Sequence, residues 1–173
     1  MALSTQPSNP NFLNPINFRF VLHRAPTLNF FTIDASLPSV TLDAIYQSTP
    51  FIPIPKPSTK LSYGRFNMTF KVDEDFVNYQ EIYDWMSHLG LGEGFPDYAN
   101  NIDKETNATG RGPVCDSSLM ILDSSKKPNI EIRMRDTFPT NLGNIEFAVD
   151  ANDVRYASCR VEFALRDFVV FKI

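Results

Sequence analysis

The sequence has little of what catalysis, phosphate binding or membrane insertion requires. Histidine occurs twice, at His23 and His88, and cysteine twice, at Cys115 and Cys159, in 173 residues. No HExxH, GxSxG or Cys/His cluster is present, so the common hydrolase and zinc-site motifs have no residues to be built from. Catalysis needs convergent groups with tuned proton affinities. His23 falls on the polar side of a strand-like segment. His88 sits near a helix end, where the C-terminal partial charge attracts a cation without any reaction. Gly90-Leu91-Gly92-Glu93-Gly94 follows a helix instead of leading from a strand into one, which excludes a phosphate loop. The acidic run Asp73-Glu74-Asp75 lacks the spacing of a calcium loop. No cofactor, no metal and no enzymatic activity are expected.

Basic charge is scarce as well. Net charge is −4, pI is about 5.1, and no Lys/Arg run is longer than Lys126-Lys127. A chain that grips nucleic acid through its phosphates needs a basic face, and so does one that docks on an anionic membrane. Both are excluded. The roughly 20 consecutive apolar residues of a membrane span are absent. MALSTQPSNPNF lacks the basic and apolar regions of a secretory signal, so folding where the chain is made is expected. The two cysteines have no CxxC spacing and read as small buried hydrophobes, with a disulfide as the alternative. Glycine is outnumbered by proline, 7 to 13, which favours stiff extended segments over floppy linkers.

What the sequence does have is phenylalanine, 15 residues of it, and period-two alternation, the mark of strands with one wet face. Residues 1–17 read as an N-terminal arm, and 18–173 as a single β domain. Phe18, Phe20 and Leu22 alternate with Arg19, Val21 and His23 in a first strand; Leu28–Leu37 reads as its return. Phe66, Met68 and Phe70 alternate in another, within Leu61–Val72. Further strands are expected at Val114–Leu122, Ile130–Asp136 and Ile145–Asp150. A proline turn is expected at Thr137–Asn141, and one last strand from Arg155 to Phe171. The period changes at Phe76, Tyr79, Ile82/Tyr83, Met86 and Leu89, which makes one amphipathic helix, capped by Asp73 or Asp75 and stopped at Gly90. Leu91–Pro113 is a long loop suited to contact. The expected fold is mainly β: a barrel or two packed antiparallel sheets, with one flanking helix and an extended hairpin arm.

That arm, residues 38–62, is the least ordinary segment. Pro50, Pro53, Pro55 and Pro57 stand among Ile45, Tyr46, Phe51, Ile52 and Ile54, and proline removes ladder donors, so no central strand can form there. An extended arm or edge hairpin fits. Its apolar residues need a surface to cover. The body or an adjacent subunit could supply one, and the length of the segment favours the subunit.

Three segments together resemble the tail tube proteins of T-even-type contractile phages. Phe138-Pro139-Thr140-Asn141-Leu142-Gly143, followed by an alternating strand, the acidic stretch Asp150–Asp153 and a long final strand, is similar to that family's closing portion. Its Pro-Thr-Asn-aliphatic-Gly turn corresponds to Pro139, Thr140, Asn141 and Gly143. Phe66–Asp84 is similar to the family's strand, acidic turn and helix, and Ser36-Leu37-Pro38 leads into an arm like its extended hairpin. The proline-rich arm and the Leu91–Pro113 loop depart from the pattern.

The resemblance implies a virion structural protein, assembled in the host cytoplasm. Homo-hexameric rings would stack into a tube that meets a tail sheath protein outside and baseplate and terminator proteins at its ends. DNA would pass through on ejection without specific binding. Two alternatives stay open: a related ring at the baseplate or tail terminus, and a monomeric β-sandwich binding module on the virion. Arm residues Ile45, Tyr46, Phe51, Ile52 and Ile54 are the expected subunit interface. Glu131, Glu146, Asp150 and Glu162, from polar strand faces, are the lumen-facing candidates, with simple solvent exposure as their alternative.

Overall fold

Alternation in the sequence becomes strand pairing in the computed structural model, which describes residues 12–90, 113–147 and 156–173. In chain order the elements are β1 (Phe18–Leu22), α1 (Leu28–Phe31), β2 (Thr32–Ser36), β3 (Val40–Gln47), β4 (Ile54–Tyr63) and β5 (Phe66–Lys71). There follow α2 (Val77–Leu89), β6 (Cys115–Leu122), β7 (Pro128–Leu142), β8 (Ser158–Ala164) and β9 (Asp167–Lys172). Every pairing is antiparallel. Seven strands run in the order β1-β6-β7-β8-β5-β2, with β9 also on β7, and β3 and β4 form a separate two-stranded sheet. The fold is mainly β, with one main helix.

Strand β7 joins the two halves of the seven-stranded sheet. Up to Thr137 it pairs with β6 on one side and β9 on the other, and from Phe138 it pairs with β8. Its buried residues are Ile132 and Met134 before the change and Thr137 and Pro139 after it. Parity switches from even to odd. One extra residue has been inserted, and Asp136 has the positive φ of 52° that such a bulge uses. The Asp136 amide donates to Asp116 Oδ1 at 3.1 Å, and Arg166 Nη1 lies 2.6 Å from Asp136 Oδ2. Behind the bend, the buried hydroxyls of Ser117 and Thr137 meet at 3.1 Å. The corner therefore leaves its polar groups partnered, as a buried bend requires.

The folded sheet encloses the core, and α2 closes it. Phe20 stacks on Phe66 at 5.3 Å, Phe163 lies 6.2 Å from Phe66, and Trp85 lies 6.2 Å from Phe163. Helix α2 buries Asn78, Ile82 and Trp85, a spacing of four and three that keeps them on one face. Asn78 is fully buried yet satisfied: it accepts from the Asp73 amide and donates to the Lys71 carbonyl. Trp85 donates to the Pro113 carbonyl at 3.2 Å and carries the Arg24 guanidinium over its ring.

Several expectations need correction. The return strand at Leu28–Leu37 is a turn of helix, α1, followed by β2, because the Thr32 hydroxyl bonds back to the Leu28 carbonyl and closes a helical turn. Neither Asp73 nor Asp75 caps α2; Phe76 holds the cap position with φ 62° and makes no side-chain cap bond. Thr137–Asn141 is not a turn. Pro139, Thr140 and Asn141 continue β7, and Pro139 is accommodated beside the register shift between Pro139 and Asn141. Gly143 lies just past the strand, where its amide donates to the Arg160 carbonyl at 2.7 Å. Residues 143–147 form no strand. The single final strand is two, β8 and β9, reversed at Leu165–Arg166. Residues 1–11 of the N-terminal arm, 91–112 of the long loop and 148–155 lie outside the described residues.

Three outcomes follow for stability. Phe66→Ala lowers the unfolding free energy by about 3–5 kcal/mol in urea denaturation, as expected for an emptied aromatic site. Gly143→Ala costs about 1–3 kcal/mol, because its Cβ would sit 2.9 Å from the Arg160 carbonyl oxygen, which is backbone and already hydrogen-bonded. Burial pushes both the Cys115 and Cys159 thiols up from their ordinary value. Above the usual thiol range, about pH 8.5, the unfolded chain loses protons that the native one retains, so stability falls as pH rises. Replacing both cysteines with alanine flattens that alkaline slope in pH-dependent melts.

Candidate assembly surface

Hydrophobic residues that the body leaves uncovered are concentrated on the β3–β4 hairpin. The prolines explain why it stands alone: Pro55 and Pro57 in β4 pair with Tyr46 and Ala44 but offer no amide to any further strand. The register shifts by two residues between Leu42 and Ala44. An even shift keeps each side of the ribbon continuous. Val40, Leu42, Ala44, Tyr46, Pro55 and Leu61 therefore share one apolar face, while Thr41, Asp43, Gln47, Lys56 and Lys60 lie on the other together with Ile45 and Ile54. Among the described residues, no element other than its own partner packs on either strand beyond marginal contact. All of β3 is exposed, and at the tip Phe51 is 96% and Ile52 72% exposed.

The root of the hairpin is tightly built. Pro38 is buried. The Gly64 amide donates to the Ser39 carbonyl at 2.8 Å, and Tyr63 meets Phe168 of β9 edge to face at 5.4 Å. At Gly64 a Cβ would fall 2.6 Å from Ser39 Oγ and 3.2 Å from the Ser39 nitrogen, so glycine lets the two legs approach. Ile45, Tyr46, Phe51, Ile52 and Ile54, the residues singled out from the sequence, all lie on this arm and are all exposed.

The four carboxylates singled out do not come together. Glu131, on the outer side of β7, accepts from the Ser118 hydroxyl at 3.0 Å and lies 3.3 Å from Arg133. Glu162 on β8 pairs with Arg65 at 3.0 Å. Glu146 is exposed beyond β7, and Asp150 lies outside the described residues. A second pair, Arg135–Asp167 at 2.5 Å, continues the row on β7 and β9. Arg133 also stacks over Phe171. The charges of β7 and β9 on this outer face are matched, with Val169 and Phe171 beside them. Exposed pairs of this kind add little stability.

Sequence reading missed β9. Phe168, Val169, Val170 and Phe171 form an unbroken apolar run at a sheet edge, and Val170 and Ile173 are more than half exposed. The run itself was the available signal, since a strand with one wet face alternates and this one does not. Among the described residues no group of His, Cys, Asp or Glu is arranged to hold a metal.

No protein-family model and no curated sequence matches the chain. Solved structures do. A chain of the anti-feeding prophage cap (AFP tube terminating cap) superposes with a TM-score of 0.69 at 12% identity, covering 100% of both chains. A chain of the PVC sheath-tube complex, an extracellular contractile injection system in its extended state, gives 0.65 at 11% identity, over 95% of this chain and 94% of that one. A chain of the PVC sheath/tube terminator gives 0.64 at 12% identity, over 94% and 99%. The fold is thus of the contractile tail tube type, found here in injection-system components and not specifically in T-even phages.

Because Phe51 and Ile52 are largely exposed at the arm tip, Phe51→Ser and Ile52→Ser each change the unfolding free energy of the unassembled chain by less than about 0.5 kcal/mol. Gly64→Ala costs about 1 kcal/mol or more, and adding Ser39→Ala recovers part of it, both measured by chemical denaturation.

Proposed function

We propose, from the contractile tail tube type of fold, that this chain is a structural subunit of a tube-like assembly and has no catalytic role. Copies associate into hexameric rings, and rings stack into the tube of a contractile tail or injection apparatus. Residues 18–173 act as one unit, with 38–62 as its extended arm. The observation that carries the reading is the arm: an ordered hairpin whose apolar residues face solvent along its whole length. An isolated chain gains nothing from such exposure, while a neighbouring copy that covers it gains roughly 25 cal/mol per Å² of apolar surface. The bare edge of β9 is a second place where a copy can pair, since unpaired strand edges invite addition.

On this reading the tube is a passive conduit. A net charge of −4 suits the passage of DNA or another acidic cargo, because like charge avoids adhesive contact. Sheath, baseplate and terminator proteins are the partners that such a tube meets. Glu131, Glu146, Asp150 and Glu162 are proposed for the lumen, where the pairing of Glu131 and Glu162 with arginine would leave a surface without a strong local field. A second reading is favoured by one observation: the cap structure spans the whole of both chains, which supports a terminating or capping ring in place of the repeated tube subunit.

Mass photometry and negative-stain microscopy of the purified chain test the reading. Six-membered rings or stacked tubes are expected, and a strict monomer at high concentration rejects it. Rings that never stack favour the capping variant. Deleting Ser48–Pro57 should abolish stacking while the far-ultraviolet circular dichroism keeps its β signature; assembly that survives the deletion removes the role given to the arm.

A further inference from the structure

Stacked copies related head to tail bury different surfaces on their two ends, so a donor at one end needs an acceptor at the other. The arm is rooted at the start of β5, next to Gly64 and Arg65. Six residues on, about 20 Å along the strand, β5 ends at Lys71, opposite the start of β2 and the start of β8. That far end carries an exposed aromatic and acidic cluster. Phe30 is 83% and Tyr156 73% exposed. The turn into α2 presents Glu74 and Asp75 to solvent beside half-exposed Phe76 and Val77.

We infer that this turn, with Phe30 and Tyr156, is the seat for the arm of a second copy of the chain. The inference rests on the assembly reading above and names the acceptor that reading lacks. Two independent features support it. The first is charge: the arm face that bears Ile45 and Ile54 also carries Lys56 and Lys60 against Asp43, while the seat displays Glu74 and Asp75. Opposite charges at the rim of an apolar contact set its register and exclude wrong partners. The second is backbone. Phe76 holds φ 62°, a conformation that suits glycine or asparagine and disfavours a bulky side chain. Its ring rests on Tyr79 at 4.8 Å and stays partly open. A locally unfavourable residue kept at an exposed turn points to a contact outside the chain. Lys71 also lies at this end, its ammonium 5.0 Å from the Tyr156 ring; it keeps its charge, and Asp73, Glu74 and Asp75 outnumber it.

A charge-reversal cycle on the full chain, read by sedimentation and negative-stain microscopy at low salt, tests this. Lys56→Glu/Lys60→Glu and, separately, Glu74→Lys/Asp75→Lys should each reduce the stacked fraction about tenfold or more, since facing like charges are strongly unfavourable. The chain carrying all four changes should return to within a few-fold of the unaltered protein. Lysines at a helix start also weaken the helix. The neutral pair Glu74→Gln/Asp75→Asn is therefore included, with a smaller loss of stacking and an unchanged melting curve expected. Normal stacking by the Glu74/Asp75 variants overturns the inference, and so does a fourfold variant that remains unstacked with native circular dichroism. In both cases the assembly reading stands. An unaltered chain that forms rings but never stacks removes the inference and favours the capping ring, and a strict monomer removes the assembly reading as well.

Discussion

One residue too many in β7 governs the shape of the body. A strand that buries Ile132 and Met134 must bury residues of the same parity farther on, unless something is inserted. Asp136, at φ 52°, is that insertion, and after it Thr137 and Pro139 face inward. The strand can then leave the layer it shares with β6 and β9 and enter the one it shares with β8. Both halves of the sheet can then wrap the same cluster of Phe20, Phe66, Phe163 and Trp85. Without the bend the two halves would form one open surface, with a greasy face that α2 alone is too short to cover. The ties at the corner, Asp116 to the Asp136 amide and Arg166 to the Asp136 carboxylate, hold the strained residue in place.

The arm obeys the opposite logic. Two strands without a third, or without a packed face, are marginal in water. Here the ribbon is stiffened from within by prolines and clamped at its root by the Gly64–Ser39 approach and the Tyr63–Phe168 contact. Proline lowers the entropy that the free arm would otherwise hold and lose on docking, and glycine at the root allows the legs to close. A preorganised arm loses less freedom when it binds than a flexible one does. Pro55 and Pro57, the two within β4, also blunt its edge against random strand addition. Stiffness thus comes from Pro50, Pro53, Pro55 and Pro57 together, and protection of the edge from Pro55 and Pro57 alone.

Charge is handled in the same spirit. On the outer side of β7 and β9, acids alternate with arginines closely enough that Glu131–Arg133 and Arg135–Asp167 are paired, leaving little local field. Three of the four surplus negative charges belong to residues 91–112 and 148–155; among the described residues Asp73, Glu74 and Asp75 cluster in the turn before α2, beyond the end of β5 that lies away from the arm.

Much of this was legible in the residues alone. Period-two alternation placed β1, β5, β6 and the first half of β7, because one buried face imposes that pattern on any strand. Period 3.6 placed α2 for the same reason. Proline placed the arm, since a missing amide is a property of the residue and not of its surroundings. The tertiary structure decided the rest. No local pattern distinguishes a bulge from a turn at Thr137–Asn141, because both need only one unusual backbone angle; what separates them is whether β8 lies alongside to accept the continuing strand. The break between β8 and β9 was marked only by the change from alternation to the run Phe168–Phe171; the reversal itself depends on β7, which pairs with β8 through Phe138–Leu142 and with β9 through Ile130–Arg135. The exposure of Phe30, Phe76 and Tyr156 was equally out of reach. A sequence shows that a side chain is apolar, and only the packing of the whole chain determines whether anything is left to cover it.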